Sequence, residues 1–399
     1  GELANPRHWT TGELAPLILA AHDAGVDVVL TLICFEAATI DAVLADPGVR
    51  AALVARVTAM VADGEGDGVN IDFEGLPLAR KADFVAFVGE LKASLDAALG
   101  RSHVSVATPA VDWLGAYDYD ELALAADALV IMGYEYHYSG GSPGPVSPLA
   151  PSERWGKYSL AWTLDDYDRF AGVEHRGRIA LALPLYGHDW PTVDDAVPGV
   201  ALAKAASPSL AQCEAGGLRW GWRFDTPSTT PWYFITDESR QVWCEDRVSL
   251  SAKIALAAER GLAGVGFWAL GYEADLDTPW QALVESWPVT GGDDAMPDAS
   301  EDAGPADGAA ADEAMPVDGA ECADRSEGPS ADGDALDGDG QGGAVADAAT
   351  GGDESGRQRP PERGGCAAGR TPSTSGWAAM LLLPAMAWFC RRRAGRTVR

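Results

Sequence analysis

Asn70, Asp72 and Glu74 are the residues whose types and spacing most plainly prepare for chemistry. They alternate within Asp67-Gly68-Val69-Asn70-Ile71-Asp72-Phe73-Glu74. Alternate residues of a β-strand share a face, so this polar trio projects one way and Val69, Ile71 and Phe73 the other. The apolar set is suited to packing beneath helices, which leaves the polar set lining an interior and climbing toward the strand's carboxyl end. Burying three polar side chains is costly unless they have a task or complete hydrogen bonding. Two carboxylates two residues apart lie about 7 Å from each other along a strand and perturb each other's protonation. The upper one, Glu74, is therefore expected to carry the raised pKa that a general acid requires. The competing reading is a buried polar ladder that merely satisfies itself.

The elements that must position this trio are legible around it. Residues 26–33, 68–73, 104–107, 128–132, 179–183 and 264–268 form short, nearly continuous apolar runs, as buried parallel strands do. Between them Val49, Leu53, Val57 and Met60 keep helical spacing, as do Phe84, Phe87 or Val88, Leu91 and Leu95. Strands alternating with helices predict the α/β class, most simply a (β/α)8 TIM barrel spanning residues 1–288. Six strands are visible where a barrel needs eight, and a helix-like stretch at 13–24 precedes the first. The expectation is a fragment whose first two strands lie upstream of Gly1. Barrel sites form at the carboxyl rim of the strands. Asp112, Trp113, Tyr134, Tyr186 and Trp268 all fall at such ends.

Residues 190–247 are too long for a simple connection and read as a small α+β insertion. Its strand-like runs are 218–224, 232–235 and 241–244, and a helix over 249–260 leads into the last barrel strand. Most tryptophans precede the acidic tail. Trp190, Trp220, Trp222 and Trp232 join Trp113 as rings that could stack on sugars, with core packing the equal alternative for each. His137 reads as a loop packing residue.

The formal charge of −31 is unevenly spread over the 399 residues. Residues 289–365 are rich in Asp, Ala, Gly and Pro, a composition that cannot bury enough surface to offset chain entropy; a disordered acidic linker is expected. No basic stripe suggests nucleic acid. The six cysteines lack C-x-x-C spacing and the six histidines form no ligand pattern, so neither metal nor cofactor is expected. Cys213 and Cys244 are either a disulfide or two free thiols. Residues 366–399 carry an apolar run, 377–390, followed by Arg391-Arg392-Arg393. A hydrophobic helix is expected there, short for an unaided membrane span but with the charge asymmetry of a cytoplasmic stop.

The octet Asp67 to Glu74 resembles the D-G-x-D-x-D-x-E signature of glycoside hydrolase family 18, which includes chitinases and related N-acetylglucosaminidases. Met132-Gly133-Tyr134-Glu135 resembles the family's M-x-Y-D, and Trp268 resembles the tryptophan that closes its eighth strand. The insertion resembles the family's own. Residues 132–149 and 183–191 are most similar to the bacterial branch containing spore-cortex-type peptidoglycan hydrolases.

The resemblance implies hydrolysis of β-1,4-linked N-acetylglucosamine in peptidoglycan or chitin, with the polysaccharide as partner. It also implies a retaining mechanism outside the usual two-carboxylate scheme, in which the substrate's 2-acetamido group is the nucleophile. Glu74 would be the acid, Asp72 would hold the acetamido N–H, Tyr134 would bond the acetamido oxygen, and Trp268 would floor the sugar. Asn70 stands where many chitinases have an inner aspartate, and Glu135 where the family has an aspartate. With Trp113, Tyr186 and Asp112 they complete the substrate-side candidates. A lectin on a catalytically dead barrel is the competing class; such members typically lack the acid that Glu74 provides here. The carboxyl terminus, with Gly365-Cys366, an apolar helix and an arginine cluster, resembles a myxobacterial sorting signal. That implies export to the cell surface, processing at or near Cys366, and membrane contact through the helix before or without that processing.

Overall fold

The computed structural model describes Trp9, Gly12, residues 14–288 and the backbone of Ala387–Trp388. The acidic linker, Cys366 and most of the apolar run at 377–390 lie outside the described residues.

The strands are β1 (Val29–Cys34), β2 (Gly68–Phe73), β3 (His103–Pro109), β4 (Ala128–Met132) and β5 (Ile179–Pro184), then β6 (His188–Pro191), β7 (Arg223–Asp225), β8 (Thr230–Ile235), β9 (Arg240–Trp243), β10 (Gly264–Trp268) and the short β11 (Ala387–Trp388). Six of them, β1 to β5 and β10, lie parallel in sequential order. The helices are α1 (Ala15–Asp23), α2 (Ala37–Ala45), α3 (Pro47–Asp63), α4 (Lys81–Leu99), α5 (Tyr119–Ala125), α6 (Leu160–Phe170), α7 (Leu210–Trp220), α8 (Arg247–Glu259) and α9 (Thr278–Ser286).

The six expected barrel strands are all present, in a TIM-barrel-like sheet. Its two ends do not meet: among the described residues β1 pairs only with β2, and β10 only with β5 and β11. The difference shows in burial. Every residue of β2 and β5 is buried, whereas β1 is half-buried along most of its length.

Phe73 fixes which way β2 faces. Its ring stacks on Phe84 and Phe87 of α4, at 5.9 and 5.7 Å between centroids. Val69 and Ile71 are buried in the same layer. Anchoring these three beneath the helices turns Asn70 and Asp72 to the opposite face. The α3 helix that packs beside α4 starts at a cap, Asp46, whose carboxylate accepts the N–H groups of Gly48 and Val49.

Two expectations need correction. The run 218–224 does not form one strand, because α7 continues through Trp220 and only Arg223–Asp225 is extended. A Ser209–Gln212 capping box starts this helix and Gly221, at φ 86°, ends it; period-two aromatics outside the core do not outweigh those signals. Secondly, Ala387 and Trp388 are not helical: they pair antiparallel with Phe267 and Gly266. The outer edge of β10 presents free backbone donors and acceptors, which an added strand satisfies.

The insertion is an antiparallel sheet, β6-β9-β8-β7, beginning at His188. Trp190, Trp232 and Trp243 form its buried core. Cys213 of α7 and Cys244, just past β9, are joined as a disulfide with Cα atoms 6.2 Å apart. That settles the alternative the sequence left open.

Candidate active site

The polar face of β2 rises from foot to rim. At the foot, Asp67 is structural: its Oδ2 accepts the Val28 N–H at 2.7 Å and lies 2.8 Å from His22 Nε2. Above it, buried Asn70 accepts a hydrogen bond from Ser105 Oγ at 2.9 Å, across the β2–β3 register. Asp72 follows, only 6% exposed, and its Oδ1 has no hydrogen-bond partner among the described residues. Loss of hydration, and secondarily the Glu74 carboxylate, push the Asp72 pKa up to about 7. An unpartnered buried acceptor of this kind is costly and commonly marks function.

Glu74 stands one residue beyond the strand, exposed at the rim. Its backbone is held from two sides: its N–H donates to Cys34 O at 2.9 Å, and Tyr117 Oη donates to Phe73 O at 2.6 Å. Gly75, at φ 76°, then turns the chain away. The Glu74 carboxyl is raised, first because its neighbours strip part of its hydration and then by the Glu135 carboxylate. The mutual repulsion that the sequence expected between Asp72 and Glu74 is present and shows on Asp72, and the rim of β4 adds Glu135 as a second charge beside Glu74.

Glu135 itself has a left-handed backbone, φ 62°. Its Oε1 accepts from Tyr186 Oη at 2.5 Å and lies 2.9 Å from His188 Nε2. Burial pushes this carboxyl up, but the hydrogen bonds from His188 and Tyr186 outweigh it and hold it below its ordinary value. A carboxyl held below its ordinary value, Glu135, thus stands beside two that are pushed above theirs. Such a divergence is how acid and base roles are divided at one pH.

Tyr134 precedes Glu135 and packs edge-on against Tyr186, 6.0 Å between centroids. Loss of hydration and the carboxylates of Asp72, Glu74 and Glu135 keep its hydroxyl well above its usual pKa, so it remains an O–H donor. Gly133 permits this placement, because a Cβ there would meet Ala182 O at 2.8 Å. Trp268 ends β10 level with Pro184 and is half-buried. Its carbonyl accepts the Leu185 N–H at 2.6 Å, and its peptide bond to Ala269 is cis.

The structure therefore gathers Asp72, Glu74, Tyr134, Glu135 and Tyr186 into one electrostatic and hydrogen-bonded group above Asn70. Asp112 is engaged elsewhere: its two oxygens accept the N–H groups of Leu114 and Tyr117, shaping the loop that carries Trp113. Trp113 is 72% exposed and meets Tyr158 edge-on at 4.9 Å. Trp190 and Trp232 are core residues of the insertion, Trp222 packs on Tyr233, and Trp220 lies under Arg219. His137 packs edge-on against Trp155.

Sequence reasoning missed Tyr117 and His188. Tyr117 has no sequence signal, since its target is a backbone carbonyl 44 residues away. His188 had one: Tyr186, His188 and Trp190 alternate through an extended segment, which puts them on one face.

A barrel-type sheet with this ladder at its rim matches a known profile. Residues 36–273 fit the one described as "Glycosyl hydrolases family 18". The chain belongs to that family. Among the proteins it is similar to, a cortical fragment-lytic enzyme of Bacillus subtilis is 30% identical over 211 residues, 51% of this chain and 46% of the relative. The spore cortex-lytic enzyme of Bacillus megaterium superposes with a TM-score of 0.55 at 25% identity, covering 68% of this chain and 62% of its own. A family 18 chitinase from Cycas revoluta, solved with (GlcNAc)3, superposes with a TM-score of 0.61 at 18% identity over 70% of this chain and 86% of its own, a likeness of fold. The chain spans about half the length of the curated relatives it matches.

Proposed function

We propose that this chain hydrolyses β-1,4-linked N-acetylglucosamine glycans, peptidoglycan or chitin, with retention and with the substrate's acetamido group as nucleophile. The observation that carries the reading is the Asp72 carboxyl, buried with one oxygen unpartnered directly below Glu74, whose own carboxyl is pushed up by lost hydration and by Glu135. Glu74 gives its proton to the glycosidic oxygen as the bond to the anomeric carbon breaks. The 2-acetamido carbonyl oxygen attacks that carbon, and the resulting oxazolinium carries the positive charge. Asp72 accepts the acetamido N–H with its free oxygen and offsets that charge. Tyr134 donates its hydroxyl to the acetamido oxygen, and Trp268 supports the distorted sugar ring. Glu74, now ionised, takes a proton from the water that opens the oxazolinium, which restores the acid.

The two cortex-lytic relatives support peptidoglycan as one polymer, and the sugar-bound family 18 chitinase keeps chitin beside it. Among the described residues no helix is long and apolar enough to cross a membrane. Export to the surface, with processing at or near Cys366, remains part of the proposal. The Cys213–Cys244 disulfide supports it, since such bonds persist in oxidising compartments.

The test is turnover of a chromogenic chitobioside, chitin oligomers and purified peptidoglycan, with product masses, by wild type and Glu74→Gln. Wild type is expected to cleave, and the amide variant to bind glycan without cleaving it. Equal turnover by both would overturn the assignment.

A further inference from the structure

Glu135 is held by two donors from a single extended segment. Tyr186 and His188 sit two residues apart and so reach the same carboxylate oxygen. His188 is 2% exposed and is itself held from behind, its Nδ1 3.1 Å from Ser207 Oγ. Its ring lies edge-on to Tyr186 at 5.6 Å and to Trp190 at 5.2 Å.

The partners place a proton: an ionised carboxylate only accepts, so Nε2–H points toward Glu135, while the Ser207 hydroxyl, able to donate or to accept, seats Nδ1. His188 and Ser207 belong to one clasp of the insertion: Asp189 and Ala206 exchange backbone hydrogen bonds of 2.9 and 3.0 Å, and Gly187 N–H donates to Pro208 O at 2.9 Å. The charged residue next to His188, Asp189, is turned away and paired with Arg240 at 2.8 Å. The titratable groups around Glu135 are His188 itself, Glu74 just past β2, Tyr134 beside it, on which Asp72 also acts, and Tyr186, on which Tyr272 also acts.

Nothing in the substrate-assisted route uses His188. We propose that His188 is a positioning residue for glycoside cleavage: seated by Ser207, it keeps Glu135 aimed and ionised beside the Glu74 acid, so that the insertion governs the acid. The inference rests on the hydrolase reading. Its logic is electrostatic. A charged Glu135 makes Glu74 hold its proton, and the His188 donor offsets the burial that would otherwise neutralise Glu135. Without His188 that repulsion weakens, and Glu74 loses its proton at lower pH.

The experiment uses the full chain and a chromogenic chitobioside across pH. His188→Phe is expected to lower kcat roughly tenfold with KM within about twofold, and to move the alkaline limb of the profile to lower pH. Glu135→Gln should move the limb the same way, and adding His188→Phe to it should move it no further. His188→Gln, which keeps a donor, should recover part of the loss. Ser207→Ala should give a smaller shift of the same sign, and it carries the test if the phenylalanine variant fails to fold. A fall in kcat with an unmoved limb would reduce His188 to packing and overturn the proposal.

A second readout needs no turnover. Proton–nitrogen NMR of the imidazole, assigned by its loss in the His188 variants, should show the Nε2–H tautomer in wild type and a changed tautomer balance in Glu135→Gln. An Nδ1–H tautomer in wild type would overturn the proposal. Inert wild type with the Nε2–H tautomer in place would instead overturn the hydrolase reading and take this role with it.

Discussion

Tyr117 donates its hydroxyl to the carbonyl of Phe73, 2.6 Å away, and so fastens the peptide that carries Glu74. With the Glu74 N–H on Cys34 O, the acid extends a strand rather than riding a free loop. A proton donor must meet a leaving oxygen within a few tenths of an ångström, which rewards that kind of mounting.

Tyr117→Phe separates mounting from chemistry. The ring keeps its edge contact with Phe84, 6.0 Å between centroids, and only the hydroxyl goes. Leaving the Phe73 carbonyl without this donor should cost about 1 kcal/mol of stability. Turnover should fall several-fold with KM nearly unchanged, because the acid is misplaced only when the glycosidic oxygen must be protonated. Denaturant melts and steady-state kinetics on one preparation measure both. A rise in KM with kcat intact would show that Tyr117 shapes the sugar cleft instead.

Tyr134→Phe probes the acetamido contact. A hydrogen bond that tightens as the oxazolinium forms acts mainly on kcat. Removing such a donor typically costs about 100-fold in turnover. The check is the ratio of kcat loss to KM change on a chitobioside, and an effect confined to KM would remove Tyr134 from the bond-making step.

Much of this site was open to sequence reasoning because β2 is amphipathic in an unusual sense, apolar toward helices and acidic toward the interior. Six alternating residues suffice to orient Asn70, Asp72 and Glu74, and Phe73 against Phe84 and Phe87 makes that orientation the stable one. The strand order could likewise be read from near-continuous apolar runs. What could not be read depends on contacts between distant segments. Glu135 as the charge acting on Glu74 requires β2 and β4 in register through β3. The aromatics at 218–224 suggested a strand, yet Leu218 to Trp220 finish a helix whose cap lies at Ser209.

Asp72 should make the fold weaker as pH rises. Its native pKa is about 7, above the ordinary carboxyl value of 3.8. The native state therefore binds more protons than the unfolded chain between those limits, so stability declines as pH climbs through that window and levels off above about 7. The decline attributable to this group is on the order of 4 kcal/mol. Asp72→Asn removes the ionisation, so its stability relative to wild type should improve from pH 4 to pH 8. Urea melts at both pH values give the difference, and parallel curves would mean that Asp72 stays charged in the native state.

The Cys213–Cys244 bridge offers a test of how far the insertion supports the rim. It closes a separation of 31 residues and ties α7 to the end of β9. Chain entropy alone makes a loop of that size worth about 3–4 kcal/mol. The clasp holding His188 sits against it, since a Cβ on Gly187 would meet Cys244 Sγ at 2.6 Å and Cys213 Sγ at 3.0 Å. Reduction, or Cys213→Ser with Cys244→Ser, should thus lower the melting temperature and also reduce turnover, although neither sulfur is among the residues assigned to the chemistry. The two effects can be told apart by temperature. Well below the melting transition the reduced protein is folded, and a kcat deficit that persists there comes from a loosened His188–Glu135 contact rather than from unfolded chains. Full activity of the folded, reduced protein would limit the disulfide to stability and leave the clasp rigid without it.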